Sequence, residues 1–75
     1  MKTLSIRNRL AGTVEQIVNG PVVSEIVVAT AAGTLSSVIT TRSVKEMKLK
    51  KGDQVFVIVK ATEASILKGK GSEEI

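Results

Sequence analysis

The sequence contains no cysteine, histidine, tryptophan or tyrosine, and Phe56 is its single aromatic residue. Without cysteine there is no disulfide framework and no thiolate. Without histidine the usual ligands of zinc and haem, the bases that activate serine or cysteine nucleophiles, and the one side chain that ordinarily titrates near neutrality are all missing. This composition all but rules out conventional catalysis, and the expectation is a protein that is not an enzyme. One aromatic ring is also too few for a single-strand nucleic-acid platform, which stacks successive bases on several rings. No apolar run approaches the ~20 residues of a membrane helix. The opening Met-Lys-Thr-Leu-Ser leads to Arg7 and Arg9 without an apolar signal core, which points to the cytoplasm.

What is present is β-forming and basic. Valine, isoleucine and threonine fill 25 of the 75 positions, an excess of side chains that are stiff at χ1 and favour pleated strands. Lysine and arginine number 11 against 7 acidic residues, a net charge of +4 that suits an anionic partner. The length predicts a single domain over residues 1–67 with a flexible tail of lysine, glycine and glutamate over 68–75. A domain this small buries only about 60 % of its unfolded surface, so with no disulfides subunit association is the remaining support.

Turn residues divide the chain into strands over 3–6, 10–18, 22–30, 34–40, 54–61 and 64–67. Asn19-Gly20-Pro21 and Ala31-Ala32-Gly33 mark two of the connections. The only helical spacing lies in 40–49, where Val44, Met47 and Lys48 share a face and Ser43 and Glu46 stand as a capping box. In 54–61, Val55, Val57 and Val59 alternate with Phe56 and Ile58, so this strand is apolar on both sides and requires cover on both. The pattern predicts an all-β fold, a small closed OB-like Greek-key barrel of five to six strands with one short helix before the last hairpin.

Three short constellations could hold an anion. In Ser5-Ile6-Arg7-Asn8 the arginine offers five donors in a fixed fork, although an exposed, solvated arginine is the commoner case. In Thr40-Thr41-Arg42-Ser43-Val44, hydroxyls and main-chain N–H groups gather at a helix start, which a plain N-cap also accounts for. In Lys60-Ala61-Thr62 a cation and a hydroxyl flank a small residue where a strand stops, and a lysine protecting a strand edge reads the same way.

Taken in order, these segments resemble the molbindins, the small molybdate-binding proteins also called molybdenum-pterin-binding proteins, and the related Mop or TOBE-type domains. The resemblance covers about residues 3–67. It rests on Ser5-x-Arg7-Asn8 with Leu10, Gly12 and Val14, on Thr40-x-x-Ser43-Val44, on Leu49-Lys50-x-Gly52-Asp53, and on the run from Val57 to Thr62. It implies molybdate, or the near-isosteric tungstate, as the bound ligand, serving intracellular molybdenum storage or homeostasis. It also implies a homohexamer, a trimer of dimers, with anions at subunit interfaces. Ser5, Arg7, Lys60, Ala61 and Thr62 would approach from one subunit, Thr40, Ser43 and Val44 from another, with Asn8 bracing the loop. The chain departs from the family pattern at Ile6, where alanine is usual, and over 20–25, where a glycine is usually followed by Val-Asn/Thr-Ala-Glu. That stretch accompanies a second class of interface site, so the resemblance does not extend to it. The competing expectation is an OB-type module for nucleic acid or a regulatory partner, resting on charge and fold type alone.

Overall fold

The computed structural model describes residues 6–69. Four strands form one antiparallel sheet in the order β3-β2-β1-β4: β1 (Ile6–Val18), β2 (Val23–Thr30), β3 (Gly33–Thr40) and β4 (Gln54–Lys60). A single helix, α1 (Thr41–Met47), joins β3 to β4, and a 3-10 turn over Ala61–Glu63 follows β4. The sheet curls into a half-barrel with α1 on β2 and β3, the OB-like arrangement that the composition predicts.

The length of β1 organises the sheet. Its first half pairs with β4, from Ile6 opposite Lys60 to Thr13 opposite Gln54, and its second half with β2, from Gly12 opposite Thr30 to Val18 opposite Glu25. At the overlap the backbones crowd, and a β-carbon on Gly12 would lie 2.6 Å from both the Ala29 carbonyl oxygen and Val28 Cγ1. Only glycine fits there. A register shift between Val14 and Gln16 makes Glu15 an extra residue, the kind of bulge that bends a strand and increases its twist. The β2–β3 hairpin turns on Ala31 and Ala32. Thr30 Oγ1 closes it by accepting from the Ala32 N–H at 3.1 Å and donating to the Gly33 carbonyl at 2.7 Å.

Alternation puts Val14, Ile26 and Val28 on the concave face, where they are buried with Val44 of α1. Ile17, Ile39, Leu49, Val55 and Val57 surround them, half-buried. That core is small. The concave face opens as a trough of about 350 Å³ with Ile39, Leu49 and Val57 among its walls. On the other side of β4, Phe56 is 61 % and Ile58 51 % exposed, so the strand is apolar on both faces as its sequence requires.

Several expectations change. The separate strands over 3–6 and 10–18 are one strand from Ile6 onward, because pairing with β4 continues through Asn8 and Arg9 despite their polarity. Residues 3–5 of that first strand lie outside the described residues, as does the predicted tail beyond residue 69. The segment 64–67 forms no strand, pairing with none of the described residues, and among these no hairpin follows the helix. Among the described residues there are therefore four strands, not five or six, and β3 and β4 do not pair to close a barrel. The helix cap is Thr40 rather than Ser43, for Thr40 Oγ1 accepts from the Ser43 N–H at 3.1 Å. Of the predicted helix face only Val44 is buried. Met47 is exposed, and Lys48 leaves the helix in a left-handed conformation, φ 56°, with its N–H bonded to the Val44 and Lys45 carbonyls.

Candidate functional site

The strand ends gather the predicted site residues into two clusters. Because β1 and β4 run antiparallel from Ile6 opposite Lys60, the Arg7 backbone lies beside the end of β4. A register shift between Ile6 and Asn8 leaves Arg7 as the extra, unpaired residue of a bulge. The Asn8 side-chain amide donates to the Val59 carbonyl at 3.3 Å, a bond between the paired strands β1 and β4 rather than within a loop. Lys60 is exposed in extended conformation and leads into the turn that carries Ala61 and Thr62, both exposed, closed by an Ala64 N–H to Ala61 carbonyl bond of 3.3 Å. Ser5, the remaining member, lies outside the described residues.

The second cluster sits where β3 becomes α1. Thr40 Oγ1 donates to Ser43 Oγ at 2.9 Å while accepting from the Ser43 N–H. With the Thr40 proton so committed, the Ser43 hydroxyl keeps its own proton to offer elsewhere. Val44 is a different case. Its side chain belongs to the core, so only its main chain can face a ligand. Beside Thr40 lies a depression of about 540 Å³ lined by Pro21, Val22, Thr40, Thr41, Arg42 and Lys45. Arg42 and Lys45 are cations that the sequence reading did not single out. Their i, i+3 spacing on α1 is the signal that could have found them. Among the described residues the ion pair is Lys50 with Asp53 at 3.3 Å, which leaves Arg42, Lys45 and Lys60 without a carboxylate partner there.

The two clusters do not meet within one chain. Thr40 ends edge strand β3, Lys60 ends the opposite edge strand β4, and the two strands run in opposite directions, so the clusters occupy diagonal corners of the sheet. Each corner offers hydroxyl and cationic donors, and neither surrounds an anion alone. Elsewhere, the Arg9 guanidinium carbon lies 4.9 Å from the centre of the Phe56 ring, so the one aromatic ring is already faced by a cation and is not a free stacking platform. No helix among the described residues is long and apolar enough to cross a membrane, and no group of three or more acidic side chains there could hold a metal ion.

Residues 4–66 match the model of the TOBE domain. The chain is 36 % identical over 66 residues to molybdenum-pterin-binding protein 2 of Clostridium pasteurianum, an alignment covering 87 % of this chain and 97 % of that one. It is also 36 % identical over 64 residues to a probable molybdenum-pterin-binding protein of Haemophilus influenzae, covering 84 % and 93 %. Among solved structures, a molybdate-binding protein from Sporomusa ovata superposes with a TM-score of 0.85 at 42 % identity, covering 89 % of this chain and all of that one. The cytoplasmic molybdate-binding protein ModG, with molybdate bound, superposes with a TM-score of 0.77 at 36 % identity, over 83 % of this chain and 45 % of ModG.

Proposed function

This chain belongs to the TOBE-domain family of molybdenum-pterin-binding proteins, and on that premise we propose that it binds molybdate reversibly, with no bond made or broken. The observation that carries the reading is the match along the whole length of the Sporomusa ovata protein, at an identity well above what fold likeness alone requires. The ligand is the tetrahedral dianion, with tungstate as its near-isosteric alternative, and the role is molybdenum storage or homeostasis in the cytoplasm. Residues 1–67 form the binding domain.

The site joins two subunits. Ser5, Arg7, Lys60, Ala61 and Thr62 come from one, and Thr40, Ser43 and Val44 from its neighbour, within a homohexamer built as a trimer of dimers. Two features of the fold support this. The clusters stand at diagonal corners of one sheet, so a complete shell of donors needs a second chain. The open trough, the exposed Phe56 and Ile58, and Ile66, which is 95 % exposed, are apolar surface that association would cover.

Stripping a dianion of water requires charge-assisted hydrogen bonds in return, each worth about 1.5–3 kcal/mol net. A micromolar site needs roughly −8 kcal/mol, within reach of a handful of such bonds plus two cations. Cationic, hydroxyl and amide donors favour a fully deprotonated oxyanion over hydrogen phosphate, whose proton would find few acceptors. Native mass spectrometry with and without molybdate tests assembly and ligand together. Oligomers that gain the mass of molybdate support the reading. Oligomers without uptake remove the ligand, and monomers that take up molybdate remove the shared site. If the protein instead binds single-stranded DNA or RNA at ~150 mM salt and ignores molybdate, the nucleic-acid alternative replaces it.

A further inference from the structure

The donors at the Thr40 corner sit on a helix of only seven residues, too short to hold its own first turn, and the structure supplies an external support. Ser24 is the one buried polar side chain among the described residues, at 2 % exposure, and its Oγ lies 2.7 Å from Thr41 Oγ1. Thr41 Oγ1 donates to the Gly20 carbonyl at 2.7 Å, and the Gly20 N–H donates to Ser24 Oγ at 3.4 Å. Each hydroxyl has a single proton. With that of Thr41 given to Gly20, the short Ser24–Thr41 bond takes its proton from Ser24. The bonds then form a ring: Gly20 N–H to Ser24, Ser24 to Thr41, Thr41 to the Gly20 carbonyl. The Asn19 side-chain oxygen, 3.3 Å from Ser24 Oγ, is a second acceptor for the same proton. The Thr41 N–H also donates to the Val22 carbonyl at 2.8 Å. Both the main chain and the side chain of Thr41 are thus tied to the β1–β2 turn.

Thr41 directly follows Thr40 and opens the turn that carries Ser43. Its hydroxyl is spent inward on Gly20 and Ser24, so it is not available to a ligand. We propose that Thr41 and Ser24 are positioning residues. Their ring of hydrogen bonds fixes the first turn of α1, and so sets where the Ser43 hydroxyl, oriented by the bond it accepts from Thr40, meets the anion. This rests on the molybdate reading above and adds to it a second layer that acts without touching the ligand.

Two substitutions at Thr41 separate positioning from packing. Thr41→Val keeps the branched shape and removes the hydroxyl, whereas Thr41→Ser keeps the hydroxyl and removes the methyl group. Calorimetric titration with sodium molybdate is expected to show an affinity loss of about tenfold for Thr41→Val and a change within about twofold for Thr41→Ser, about 1.4 and 0.4 kcal/mol respectively. Ser24→Ala should weaken binding in the same direction as Thr41→Val. Native mass spectrometry and thermal melting of each variant establish that it remains folded and assembled. Wild-type affinity in both Thr41→Val and Ser24→Ala overturns the proposal, and so does the reverse order, with Thr41→Ser the weaker binder. If the wild-type protein takes up no molybdate, the functional reading falls and the proposal with it. Tight wild-type binding with unaffected variants sinks only the positioning role.

Discussion

Lys60 and Gly12 carry opposite kinds of burden. Lys60 is exposed, has no carboxylate partner among the described residues, and stands next to the Arg7 bulge, so its charge has no structural duty visible in the fold. Lys60→Ala is expected to weaken molybdate binding at least tenfold in calorimetry while native mass spectrometry still shows the assembled protein. Gly12 touches no ligand but has no room for a side chain, with main-chain and side-chain atoms of β2 already 2.6 Å from where a β-carbon would be. Gly12→Ala should destabilise by about 1–3 kcal/mol, the usual cost of overpacking. Each kcal/mol should lower the melting temperature by roughly 4–8 °C in a domain of this size.

Among the elements, α1 is where a structural and a binding role coincide, because Thr40 caps the helix and, by donating to Ser43 Oγ, leaves the Ser43 proton for the anion. Thr40→Asp separates them. Aspartate caps at least as well as threonine, so thermal stability should stay within about 0.5 kcal/mol, whereas a carboxylate in the site should abolish molybdate uptake in the same titration. Strands β2, β3 and β4 were legible to within a residue at each end, since their alternation and their bounding glycines are local signals. The join across Arg7 to Arg9 was not, because arginine and asparagine read as loop when the β4 partner that pairs with them lies about fifty positions away. The segment 64–67 misled for the converse reason, having strand-like residues and no pairing partner among the described residues. The cap shifted from Ser43 to Thr40 because several hydroxyls stand in a row there, and spacing alone does not choose among them. Of the site, the residue types were legible. Their division between two corners was not, for it follows from strand order.

At the scale of the whole molecule, the buried apolar side chains among the described residues are few, Val14, Ile26, Val28 and Val44, while larger ones such as Phe56 and Leu67 stay in contact with water. In the proposed assembly, neighbouring subunits supply part of the stability that so small a core does not. The melting temperature should therefore rise with protein concentration across a hundredfold dilution series followed by circular dichroism, and a constant value would mean that the monomer is self-sufficient. The absence of histidine and cysteine makes a second expectation. Between about pH 6 and 9 no side chain of an ordinary kind changes charge, so molybdate affinity should be nearly flat across that interval in calorimetry.

The diagonal arrangement of the two donor clusters has a consequence for the cell. If neither corner can grip cargo by itself, carrying capacity depends on how many copies have met, and it shrinks faster than copy number when the protein becomes scarce. Dilution would then unload the metal without any dedicated release signal, and making more of the protein would deepen the reservoir more than proportionally.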